Sequence, residues 1–164
     1  MKRLFITAML ASLTISMLTL PFNVQPVIAS GTIYIRADGS IEGTTQIFTA
    51  DNITYTFTGN IYDSIVVERD NITLDGQRYL LQGSGSGWGI TLSGRSNVTL
   101  RDIEINMFND GIRLTNSSDN TISGNTITYT MDFGVLITSS SNNNTVSGNT
   151  IAESYDGIVL AYSS

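Results

Sequence analysis

The chain has 164 residues, eight basic and fourteen acidic side chains, no histidine and no cysteine, and a formal charge of −6. The acidic balance argues against nucleic acid as a partner, because phosphate binding needs a concentrated basic surface. Without cysteine there is no disulfide scaffold and no thiol chemistry.

Lys2 and Arg3 open the chain, followed by an uncharged, mostly apolar run from Leu4 to Leu20, then Pro21 and the small-residue site Val27-Ile28-Ala29. This is the pattern of a secretory signal peptide over residues 1–29, cut after Ala29. The rival reading is a retained membrane anchor, since the run is close to the minimum that spans a bilayer. Pro21 and the diluting Thr and Ser favour the signal. The mature part is then expected to be secreted or held at the cell surface, with membrane contact only through this segment, and it carries six arginines against the fourteen acids.

Residues 30–63 show the repeat poorly, although Thr32-Ile33-Tyr34-Ile35-Arg36 and Ile53-Thr54-Tyr55-Thr56-Phe57 read as strands, so this stretch is assigned to an N-terminal cap and a first irregular coil. From residue 64 onward a repeat dominates. Gly89-Ile90-Thr91-Leu92, Gly111-Ile112-Arg113-Leu114, Gly134-Val135-Leu136-Ile137 and Gly157-Ile158-Val159-Leu160 recur at intervals of 22, 23 and 23 residues. A second motif keeps step, as Asn71-Ile72-Thr73-Leu74, Asn97-Val98-Thr99-Leu100, Asp119-Asn120-Thr121-Ile122 and Asn143-Asn144-Thr145-Val146. A third follows it, as Ile103-Glu104-Ile105, Asn125-Thr126-Ile127 and Asn149-Thr150-Ile151. Apolar and polar residues alternate within each segment, which means a strand with one buried face.

Three short strands per repeat can form hairpins or a coil, and the identity of the repeats decides for the coil. In a coil, equivalent residues lie one above the other at the strand spacing, so like stacks on like. Ile90, Ile112, Val135 and Ile158 should form one file, and Ile105, Ile127 and Ile151 another. The expected fold is all-β, a single-stranded parallel β-helix whose coils of about 22–24 residues are stable only as a stack. Asn120 and Asn144, and likewise Asn125 and Asn149, fall where the preceding coil has Val98 and Ile103, so they are expected to point inward and bond one another and the turn backbone as a structural asparagine ladder.

One insertion, Gln82-Gly83-Ser84-Gly85-Ser86-Gly87-Trp88, reads as a bulging loop in which Trp88 caps the interior or offers a face to a sugar. Asp110, Asp132 and Asp156 stand one or two residues before the repeating glycines. They are expected along one edge of the stack, as candidate acid–base groups for a glycan or as calcium ligands; the competing reading is ordinary Asp-Gly turn chemistry. Phe108, Met131, Phe133 and Tyr155 accompany them, either closing the edge of the core or forming an aromatic shelf for a polysaccharide. Arg69-Asp70 and Arg101-Asp102 read as surface pairs. Sequons stand at Asn52, Asn71, Asn97, Asn116 and Asn143.

Ser118-Asp119-Asn120-Thr121-Ile122-Ser123-Gly124-Asn125 and its successor Ser141-Asn142-Asn143-Asn144-Thr145-Val146-Ser147-Gly148-Asn149 resemble the repeats of the pectin-lyase-like superfamily, and more narrowly the NosD-like right-handed β-helix proteins of microbial cell surfaces. The resemblance implies a right-handed parallel β-helix over about residues 65–164. For activity it implies little, because that framework carries lyases, hydrolases, epimerases, adhesins and scaffolds. Enzymes of the superfamily usually place an Arg or Lys beside calcium-binding acids, or Asp with His; here there is no His and no Lys beyond the signal. A copper role lacks its soft ligands, since only Met107 and Met131 lie in the mature part. The expectation is a structural or glycan-interacting module with no cofactor, with calcium as the one cation to consider. A carbohydrate-active lyase, hydrolase or epimerase is the alternative. The repeat reopens at Gly157 shortly before Ser164, so further coils of a longer chain are expected to follow.

Overall fold

A computed structural model describes residues 31–163; the signal segment read over residues 1–29 lies outside them. Seventeen strands and no helix make up these residues. At the N-terminal end lie β1 (Ile33–Ile35), β2 (Ile41–Glu42), β3 (Ile47–Phe48) and β4 (Thr54–Phe57). The coils proper use β5 (Ile65–Val67), β6 (Ile72–Asp75), β7 (Leu80–Gln82), β8 (Trp88–Ser93), β9 (Val98–Arg101), β10 (Glu104–Asn106) and β11 (Asp110–Thr115). They continue with β12 (Thr121–Ser123), β13 (Thr126–Thr128), β14 (Phe133–Thr138), β15 (Thr145–Ser147), β16 (Thr150–Ala152) and β17 (Asp156–Ala161).

Every third strand joins the same sheet, which is what a coil requires. The first sheet runs β17-β14-β11-β8-β5-β1-β2, the second β15-β12-β9-β6-β4-β3 and the third β16-β13-β10-β7. All coil-to-coil pairings are parallel. Only β2 on β1 and β3 on β4 are antiparallel, and they lie on the otherwise open edges of β1 and β4, where unpaired backbone would face solvent. Tyr55 is fully buried beneath this end, and its hydroxyl donates to the Gly39 carbonyl at 2.9 Å.

Register sets the core. Ile33, Ile65, Ile90, Ile112, Val135 and Ile158 stand in a single file through successive pairings. Tyr55, Leu74, Leu100, Ile122 and Val146 form a second file, and Leu81, Ile105, Ile127 and Ile151 a third. These side chains are buried up to the last coil, and each such Leu or Ile contributes about 1.5–3 kcal/mol through the water it sheds.

Candidate functional site

Three features of this frame carry polar chemistry: the inward asparagines, the corner between the third and first sheets, and a groove between the second and third.

Asn120 and Asn125 are each 1% exposed. The Asn120 Oδ1 accepts from the Val98 amide at 2.9 Å, and its Nδ2 donates to the Arg95 carbonyl and to Asn144 Oδ1. Asn125 does the same at the next corner of the same coil, accepting from the Ile103 amide at 3.1 Å and donating to the Leu100 carbonyl and to Asn149 Oδ1. Asn144 and Asn149 continue the pattern, donating to the Ser117 and Ile122 carbonyls. A parallel file of serines escaped the sequence reading. The Ser117 Oγ accepts from the Arg95 amide, the Ser141 Oγ from the Ser117 amide and the Ser163 Oγ from the Ser141 amide. Serine is so common in turns that only its spacing, at 117, 141 and 163, could have separated these three from exposed turn residues.

At the corner between the third and first sheets the acids do not form one file. Asp110 lies level with Trp88, and Asp156 with Phe133. Ile127 and Val135 stand eight positions apart, whereas Ile105 and Ile112 stand seven, and the extra residue moves Asp132 out of line so that Phe133 takes its place. Asp110 is 2% exposed, while Asp132 and Asp156 are exposed. The glycines after these acids are not turn residues either: Gly111, Gly134 and Gly157 lie inside β11, β14 and β17. Of the two readings for Phe108, core closure or a sugar-binding shelf, its burial fits the first: the ring lies in the core and offers no face to a ligand. Trp88 begins β8 rather than lying in the loop before it, and the Arg113 guanidinium sits 4.4 Å from its ring centroid.

Arg113 also donates to Asp110 at 3.0 Å. Burial raises the Asp110 carboxyl above its ordinary range; Arg113 opposes this through its hydrogen bond and charge, Asp132 adds to it, and the Phe133 amide opposes it. Because folding raises this pKa, the folded chain holds the proton more tightly than the unfolded one. This group therefore favours folding below the unfolded value and loses that contribution as pH rises through the folded value. Carboxyl NMR should find the Asp110 midpoint above that of an exposed aspartate, and Arg113→Ala should raise it further. A midpoint lowered by that change would contradict the account.

Around Asp110 the corner exposes a ridge of large side chains: Trp88, Met107, Tyr129, Met131 and Tyr155, the last 83% exposed. Exposed Asp132, Glu153 and Asp156 lie among them.

The groove lies at the opposite side of the third sheet and is lined by Asp75, Gln77, Arg78 and Asp102 around about 300 Å³. Leu74 and Leu81 stand seven positions apart, whereas Leu100 and Ile105, Ile122 and Ile127, and Val146 and Ile151 stand five apart. The two additional residues bulge outward as Gln77 and Arg78, both left-handed, with φ of 49° and 63°. Arg101 pairs with Asp75 one coil back rather than with its neighbour Asp102, and the buried Asp75 also accepts the Gln77 amide at 3.0 Å. The other expected surface pair is divided as well: Asp70 faces Arg95, and Arg69 bonds the carbonyls of Asn52 and Ala37. Among the described residues no group of three or more His, Cys, Asp or Glu is arranged to hold a metal.

Three parallel sheets wound into one coil, with polar side chains stacked at its corners, define a parallel β-solenoid. The chain belongs to the right handed beta helix region family, whose model matches residues 15–164. Comparison with curated proteins and with solved structures found no match.

Proposed function

We propose that this chain is an exported β-helix module of the NosD-like kind within the pectin-lyase-like superfamily, secreted or held at the cell surface, where it engages extracellular glycan. The observation that carries the reading is the exposed ridge of Trp88, Met107, Tyr129, Met131 and Tyr155. Exposed aromatic faces stack on the apolar faces of sugar rings, and a group of large exposed side chains of this kind marks an interaction site. Met107 and Tyr129 hold left-handed backbone, with φ of 59° and 53°, a conformation that is costly for bulky side chains.

The enzymatic alternative, a lyase, hydrolase or epimerase, needs an acid that reaches its substrate. Asp110 has the raised pKa of such an acid, but it is enclosed and held by Arg113, which favours the binding module.

Expressed with its own N-terminus, the chain recovered outside the cell should begin at Ser30 and be retained on a polysaccharide array. Tyr155→Ala should sharply weaken that retention without changing the melting temperature, since the ring is almost free of protein contact. Unchanged retention would remove the ridge from the reading, and a chain confined to the cytoplasm would remove export.

A further inference from the structure

We propose that the groove of Asp75, Gln77, Arg78 and Asp102 is a second binding site, taking one neutral sugar unit through its hydroxyls; it rests on the glycan reading for its ligand class but not on the ridge. Three observations converge on it. The first is the break in the repeat. At this corner the next two coils carry Ser-Gly-Asn, with Gly124 and Gly148 left-handed at φ of 67° and 62°; Asp102 occupies the equivalent position at φ 51°. Glycine adopts that conformation freely and aspartate at some cost, so the strain is retained here for the sake of a carboxylate.

The second is Arg78. Arg36, Arg95, Arg101 and Arg113 are ion-paired, and Arg69 is spent on backbone carbonyls. Among the described residues Arg78 alone has a guanidinium with no ion pair or hydrogen bond. Its backbone is nonetheless fixed, because its amide donates to the Asp102 carbonyl at 2.7 Å and the Gly76 amide to the Arg101 carbonyl at 2.9 Å. A free five-donor fork thus extends from a fixed stretch of backbone beside an acceptor-only carboxylate.

The third is charge. Asp75 is already matched by Arg101, which leaves Asp102 and Arg78 as one acceptor and one donor of opposite sign. Adjacent sugar hydroxyls satisfy both at once, giving protons to Asp102 and accepting from Arg78 and the Gln77 side-chain carboxamide, the Gln77 backbone amide being engaged by Asp75. A uronate would satisfy Arg78 but approach Asp102 and a chain whose described residues carry six arginines against fourteen acids. An amino sugar would satisfy Asp102 and meet Arg78.

The test is calorimetric titration of the whole chain with neutral hexasaccharides of glucose, mannose and galactose, with hexagalacturonate and with a glucosamine hexamer. At least one neutral hexamer should bind more tightly than either charged one. Arg78→Ala and Asp102→Gly should each weaken that binding about tenfold or more. Asp102→Gly installs the residue that the next two coils use, so its melting temperature should stay level or rise, which separates lost binding from lost folding. The proposal is overturned if no neutral hexamer binds, if a charged hexamer binds best, or if both variants bind as the parent does. Tyr155→Ala, titrated in parallel, should keep hexamer binding. If groove variants lose the hexamer while Tyr155→Ala keeps polymer retention, the groove stands and the ridge falls; the converse pattern sinks the groove and leaves the ridge.

Discussion

Replacing Asn125 with alanine is expected to lower the unfolding free energy by about 2–4 kcal/mol, a large part of what a domain of this size possesses. The side chain is 1% exposed and serves two backbone groups of the coil before it: it accepts from the Ile103 amide and donates to the Leu100 carbonyl. Alanine leaves the Ile103 amide buried without a partner, at about 1–3 kcal/mol, and takes from the Leu100 carbonyl a bond of about 1 kcal/mol beyond its place in the ladder of β9. It also removes one of the two donors to Asn149 Oδ1, although the Asn125 amide still supplies the other. Asn149→Ala is the informative comparison. Asn149 is only half-buried, so water can replace what is lost, and about 1 kcal/mol is expected. Urea unfolding followed by circular dichroism reads both changes, and hydrogen exchange at the Ile103 amide reads the first locally. An Asn125→Ala chain within about 0.5 kcal/mol of the parent, with that amide still protected, would mean that these bonds add nothing net.

The parallel coil was legible because the constraint that builds it also writes the sequence. Ile112 must sit over Val135 and Val135 over Ile158, so the same residue class returns at nearly equal steps. Polar positions were legible only where they obey the same rule, as the asparagines do. The acids lie along the one edge expected, at the corner between the third and first sheets, but a single extra residue between Ile127 and Val135 shifts Asp132 out of file, a shift that its two-residue distance from Gly134, against one for Asp110 and Asp156, already marks. The groove was invisible for the opposite reason. It exists where the repeat fails, at the two residues added between Leu74 and Leu81, and Arg101-Asp102 looks like a local ion pair until the coil places Arg101 against Asp75 instead. A search for departures from the Ser-Gly-Asn corner, rather than for the repeat itself, would have found Gln77, Arg78 and Asp102.

The repeating glycines within the stack mark a close approach between coils, and Gly111→Ala should show it. A β-carbon on Gly111 would stand 2.5 Å from Ile127 Cγ2 and 2.7 Å from the Gly134 carbonyl oxygen, both closer than real side chains come. Ile127 is fully buried and has nowhere to turn, and the Gly134 oxygen is backbone. Relief therefore requires β11 and β14 to part, which loosens the pairing of Ile112 with Val135 and of Leu114 with Ile137. Overpacking of this kind costs about 1–3 kcal/mol and at times more. Gly157→Ala is the control: it is the same residue in the same file, but a β-carbon there meets only Ile151 Cγ2 at 3.9 Å, and the effect should stay within about 0.5 kcal/mol. Neither glycine has positive φ, so the contrast isolates space from backbone conformation. Equal destabilisation of the two variants in thermal unfolding would show that the glycines recur for a conformational reason and that close packing of the coils does not select them.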